Sequence, residues 1–126
     1  MIAQGTKVYT RRGYLLVEDI EDEDFPVPHP TRGFAFVRCG DVIPIVKDRI
    51  LLMLVDGRDL IVASDLSLFT EGGTLVSAAA ITPGTSLTGP EPGVVEGVSQ
   101  EKEGTVFDIP TLHGVPFVVN GLSVLG

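Results

Sequence analysis

The side chains in this 126-residue chain suited to acid–base, nucleophilic or metal chemistry are few: two histidines, one cysteine and an uneven set of acids. General acid–base work needs a group that titrates near neutrality within hydrogen-bond reach of its target. Histidine does so without perturbation. His113 lies between Leu112 and Gly114, and His29 lies between Pro28 and Pro30. Both read as loop residues, His29 as an exposed one. Cys39 precedes Gly40 after a strand-like run. That setting suits a buried apolar filler better than a nucleophile. As a lone cysteine it excludes an intrachain disulfide and favours a reducing interior. Ser64 and Ser67 have no histidine nearby in sequence, and the nucleophile-elbow pattern is missing.

The acids Glu18, Asp19, Glu21, Asp22, Glu23 and Asp24 form one cluster. It lacks the spaced ligands and sharp-turn glycine of a calcium loop, so it reads as a solvated turn. No Cys/His/Asp/Glu set has zinc spacing, and no phosphate-binding glycine loop occurs. No metal and no cofactor are expected. Asp108 follows a strand-like run. It is equally suited to accept backbone N–H bonds in a turn or to act as an acid.

The elements that must position these groups are short strands broken by turn residues. Lys7–Thr10 alternates and runs into Arg12-Gly13; residues 13–17 follow. Residues 34–38, 42–46 and 50–55 are rich in β-branched, aromatic and other apolar side chains. Pro44 demotes the second of these to an edge or irregular segment. Asp56-Gly57 between two apolar runs signals a hairpin into Asp59–Ala63. Gly72-Gly73 separates residues 66–69 from 74–76 in the same way. Residues 94–100, 105–109, 117–119 and 122–124 complete the set, with Asn120-Gly121 as the last hairpin turn. Residues 15–20 and 77–81 have room for one helical turn each. Residues 24–32, with three prolines, and residues 88–93, with two, read as exposed loops. Physics alone predicts a single-domain, all-β fold of barrel or sandwich type.

Composition narrows the partners. The hydrophobic share is 44% and the mean hydropathy is +0.32, which supports a packed core. A formal net charge of −8 argues against nucleic acid or an anionic membrane as the main partner. No apolar run reaches the roughly 18 residues of a membrane span, and no signal peptide is evident. A cytoplasmic location is expected.

Four segments, in order, carry a resemblance. The first is Gly5-Thr6-Lys7-Val8-Tyr9-Thr10 with Gly13 and Val17-Glu18-Asp19-Ile20. The second is the hairpin of residues 57–69. The third is Ala78-Ala79-Ala80-Ile81-Thr82-Pro83-Gly84-Thr85-Ser86-Leu87. The fourth joins Val106-Phe107-Asp108-Ile109 to the hairpin around Asn120-Gly121. Together they resemble the Hint domain, the fold of inteins. The resemblance covers most of the chain outside residues 21–50. It implies an all-β, horseshoe-like or barrel-like fold with at most one or two helical turns. It also implies a single domain over residues 1–126, with no homing-endonuclease insertion.

The resemblance implies acyl-shift chemistry as well. In the family, a first-position Cys or Ser attacks the preceding carbonyl, and a Thr-x-x-His motif polarises that bond. A terminal Asn then cyclises beside a His. Here the first position is Met1, whose thioether cannot be deprotonated to a nucleophile. The Thr-x-x-His positions read Ala63-Ser64-Asp65-Leu66. A further family histidine maps to Val115, and the terminal His-Asn maps to Leu125-Gly126. Of the catalytic positions, Asp108 alone is retained, with His113 nearby as a weak candidate for a relocated base.

The expected protein is therefore a degenerate, splicing-inactive Hint domain, a relic or a structural or binding module. An active intein or self-cleaving domain is the alternative. An unrelated all-β binding module is the third reading. The expected partner is a flanking or host polypeptide, if the chain is part of a longer one. Met1, Ala63, Leu66, Val115 and Leu125 are expected to share one apolar cluster. Residues 2–4 are expected to run beside residues 123–125, with both chain ends in the middle of the domain.

Overall fold

The computed structural model describes residues 1–126, and every regular element is a strand or a 3-10 turn. The longest elements are β5 (Ile43–Leu54) and β10 (Gly93–Asp108), which pair antiparallel along most of their length. Sequence patterning divides each into two strands, because charged residues interrupt the apolar runs. In the fold the interruptions face each other, with Arg49 opposite Glu101 and Lys47 opposite Gly104. Each strand supplies the other's backbone partners there, so the ladder crosses the polar stretch. It is irregular only between Val95 and Gly97 and between Glu101 and Gly104. Pro44 is tolerated because β6 (Asp59–Ala63) pairs only with Arg49 to Met53 of β5. The Pro44 end of β5 is thus an open edge on one side, as proline requires.

This sheet runs β6–β5–β10–β9, where β9 is Ser86–Leu87. A second, six-stranded sheet contains β1 (Lys7–Thr10), β2 (Gly13–Leu16), β7 (Ser67–Phe69), β8 (Leu75–Ser77), β11 (Pro116–Val119) and β12 (Leu122–Leu125). Its order is β2–β1–β11–β12–β7–β8. The β11–β12 turn places Asn120 at φ 47° and Gly121 at φ 81°. Two successive left-handed residues are what a type I′ hairpin needs, and Asn-Gly supplies them at least cost.

The prolines of residues 24–32 do not make a loop. They lie on β3 (Glu23–His29), which pairs with β4 (Gly33–Cys39) as a separate two-stranded hairpin. Pro26 and Pro28 are two residues apart, so both missing N–H groups can face the edge that has no partner. The inward face of the hairpin contributes Phe25, Val27 and Cys39 to a core of 24 buried residues. The two anticipated helical turns are the 3-10 turns Val17–Asp19 and Ala78–Ala80; a third, Pro110–Leu112, lies where none was expected.

Of the expected loop at residues 88–93, residues 88–92 are irregular while Gly93 already opens β10, and the segment is tied to the rest by Arg58. Its guanidinium donates to the carbonyls of Glu91 at 2.7 Å, Pro92 at 3.0 Å and Asn120 at 2.9 Å. Gly89 lies so close to the β11–β12 turn that a Cβ would overlap the Gly121 carbonyl. It would also come within 2.7 Å of Leu122 Cα and 2.9 Å of Ser123 N. All three are backbone atoms that cannot swing aside. Gly89→Ala should therefore lower stability by about 2 kcal/mol or more, read as a fall in urea midpoint at unchanged m.

Candidate functional site

The start of the chain is threaded between β6 and β10. Ile2 N–H donates to Phe107 O at 3.2 Å, and Phe107 N–H returns a bond to Ile2 O at 2.7 Å. On the other side, Ala63 N–H donates to Met1 O at 2.9 Å and Ala3 N–H to Ile61 O at 3.0 Å. Strand alternation sends the Ile2 side chain fully into the core and turns Met1 the other way.

Met1 meets a polar rim there. Burial holds its α-amine below the ordinary value, against the upward pull of Asp108 and Asp65, while Lys47 adds to the lowering. Lys47 Nζ and Asp65 Oδ2 form an ion pair at 2.6 Å. Asp108 Oδ1 and His113 Nε2 lie 2.6 Å apart. The Asp108 side chain is 17% exposed and that of His113 is 56% exposed. The 3-10 turn Pro110–Leu112 makes this pairing, because it turns the chain back after β10: His113 N–H donates to Pro110 O at 3.1 Å and Val115 N–H to Leu112 O at 3.0 Å.

The expected five-residue apolar cluster is not what forms. Leu66 is fully buried within the core and Val115 packs against it. Ala63 is fully buried as well. Met1 and Leu125 are half-buried and outside the core. For Leu125 the cause is again alternation: its neighbour Val124 takes the inward position on β12. Gly126 is exposed. Residues 2–4 and 123–125 do not pair with each other. They approach residues 62–67 from separate sides, Ile2 bridging Val62 and Leu125 pairing with Ser67.

The other candidates have structural occupations. Cys39 is fully buried, and burial pushes its thiol above the ordinary value, with Asp22, Asp41 and Glu23 adding to the rise. His29 is half-buried rather than exposed; its Nδ1 accepts from the backbone N–H of Thr31 and Arg32, each at 3.2 Å, and fixes the β3–β4 turn. The acidic cluster is not merely solvated. Glu18 accepts the Gly5 N–H at 3.0 and 3.1 Å, Glu23 is buried against Arg12, and Asp24 pairs with Arg38 at 2.9 Å. No group of three or more His, Cys, Asp or Glu side chains is placed to hold a metal ion.

No family model matches the sequence, and no curated protein matches it. Solved structures do. The DnaX mini intein from Spirulina platensis superposes with a TM-score of 0.78 at 18% identity, over 99% of this chain and 98% of that one. The bacterial intein-like domain from Clostridium thermocellum gives 0.78 at 17% identity, over 98% and 96%. A DnaB intein from Synechocystis gives 0.77 at 14% identity, over 99% and 96%.

The chain has the Hint fold. Near-complete coverage in both directions means that the β3–β4 hairpin, outside the sequence resemblance, also lies within the matched span.

The structure brings Met1 beside Ala63 and Asp108; of the other positions that the resemblance marks, Leu66 belongs to the core, Val115 packs against it and Leu125 pairs with Ser67. Sequence reading identified Asp108 there but gave His113 little weight, and it missed the Lys47–Asp65 pair altogether. The one available signal was Asp65, a charge inside the Ala63-Ser64-Asp65-Leu66 stretch.

Two outcomes follow. Leu66→His puts an imidazole into an apolar site with no prepared partner and removes a buried leucine. It should cost about 3 kcal/mol, seen as a lower urea midpoint. The Cys39 thiol should react with an aromatic disulfide reagent at the unfolded rate only after denaturant is added; rapid reaction of the native protein would contradict its burial.

Proposed function

We propose that this chain is a splicing-inactive Hint module, a relic of an autoprocessing element kept as a structural or binding unit. The observation that carries the reading is the full burial of Ala63 and Leu66 at the positions where the resemblance requires a threonine and a histidine. Neither side chain can donate a hydrogen bond or a proton to a neighbouring peptide. The Met1 side chain offers no ionisable nucleophile, and neither Leu125 nor Gly126 has a side-chain amide that could cyclise. A pocket lined by leucine gains from burial what it loses in chemistry, about 1.5–3 kcal/mol per side chain.

The one shared core of residues from Ile2 to Val124 supports reading residues 1–126 as a single domain without an endonuclease insertion. No helix is long and apolar enough to cross a membrane. The reading makes a flanking or host polypeptide the natural partner, places the chain in the cytoplasm, and assigns no role to nucleic acid.

The Asp108–His113 pair favours a second reading: cleavage at one junction, without ligation. It joins a carboxylate and an imidazole beside the Met1 backbone, the kind of dyad that can orient and activate a water molecule. Both readings meet in one experiment. The chain is fused between two reporter proteins and its intact mass is followed for days, with and without a thiol reductant. The inactive reading expects a single unchanged mass. Cleavage at one end, lost in His113→Ala, establishes the second reading. Ligated reporters contradict both.

A further inference from the structure

The β1–β11 ladder stops at the single register pair Val8 and Val119. Beyond it the strands diverge, and the continuing residues, 9–11 on one side and 116–118 on the other, line a groove of about 390 Å³ closed by the β3–β4 hairpin. That volume lies at the lower end of ligand-binding cavities, roughly 300–1,000 Å³. The groove shares no lining residue with the strip around Met1 and Asp108.

Its walls are unusual for a surface. Phe34 is 54% exposed, Phe36 42% and Tyr9 41%, in a chain whose aromatic share is only 6%. Phe34 and Phe36 meet edge to face at 5.4 Å. Cross-strand pairing sets Pro26 opposite Phe36 and Pro28 opposite Phe34. The hairpin therefore shows one apolar face to the core and a second, of stacked aromatic and proline rings, to the groove. Fixed proline rings and aromatics held by neighbours lose little freedom on binding.

The one charged residue that lines the groove is a cation, Arg11, in a chain of net charge −8. Acids outnumber Lys and Arg 17 to 9, yet the β1–β2 turn and the β3–β4 hairpin carry Arg11, Arg12, Arg32 and Arg38 against Glu23 and Asp24. Arg12 is taken by Glu23, and Arg38 holds Asp24 at 2.9 Å. Arg11 reaches the same Asp24 only at 3.6 Å, and its side chain is 61% exposed. Its guanidinium instead lies 4.6 Å from the Phe36 ring centre. This cation is pre-positioned at the groove wall and only loosely neutralised.

The geometry points to a docking site for an extended, proline-containing peptide that carries a carboxylate. Aromatic-lined grooves recognise the polyproline II conformation because its rings slot between theirs and its backbone is already extended. Arg11 supplies the polar contact, and a carboxylate is the group that a planar guanidinium binds best. The inference stands whether or not the chain retains any cleavage activity.

The test uses the 126-residue protein with two synthetic octapeptides, each alternating proline pairs with a charged residue, glutamate in one and lysine in the other. Amide NMR shifts and tyrosine emission are followed during titration. The glutamate peptide should bind saturably, with shifts centred on Tyr9, Arg11, Phe34 and Phe36, and at least about tenfold more tightly than the lysine peptide. Arg11→Lys should keep that preference and Arg11→Glu should reverse it. Phe36→Ala, or Phe34→Ala should the first not fold, should weaken binding by about tenfold or more. Absence of saturable binding, equal binding of both peptides, or shifts centred elsewhere would overturn the inference. So would concentration-dependent dimerisation abolished by Phe36→Ala, which would give this face to a second copy of the chain.

Discussion

The placement of Ile2 governs the site. Its backbone exchanges two hydrogen bonds with Phe107, at 3.2 and 2.7 Å, while its neighbours Met1 and Ala3 bond to Ala63 and Ile61 on the other side. Its side chain is fully buried. A segment satisfied along both edges and anchored by a core side chain cannot shift by one residue without exposing isoleucine and burying the polar rim. Residue 1 is thereby fixed between Ala63 and the Asp108 end of β10.

The same constraint is carried by groups that do no chemistry. Ile2, Val62, Phe107 and Val106 act through backbone pairing and burial, and none of them supplies a reactive group. Ala63 and Leu66 are fully buried beside them and leave no polar side chain to be satisfied in that apolar site. The polar pairs, Lys47 with Asp65 and Asp108 with His113, lie outside the core, where such contacts contribute little to stability.

Much of the fold was legible where local chemistry dictates it. Asn120-Gly121 and Asp56-Gly57 impose their turns whatever surrounds them, and the flanking strands follow. Legibility failed where partners decide. Pro26 and Pro28 read as a loop because nothing in the sequence reveals an unpaired edge, and β5 and β10 read as two strands each because only mutual pairing carries a ladder across Lys47 and Arg49. At the site, Asp108 was found by resemblance. Its meeting with His113 was not, since that depends on how one 3-10 turn directs the chain, and the outward turn of Met1 and Leu125 follows from alternation phases that the apolar count alone does not fix.

The account stands on the start of the chain being held between β6 and β10, and amide hydrogen exchange of the intact protein measures that directly. The amides of Ile2, Ala3, Ala63 and Phe107 should exchange together, slowed on the order of a thousandfold or more relative to an unstructured peptide. Exchange of Ile2 and Ala3 at the unstructured rate, while Leu52 and Val106 stay protected, would show a frayed chain start beside an intact core and would contradict the account.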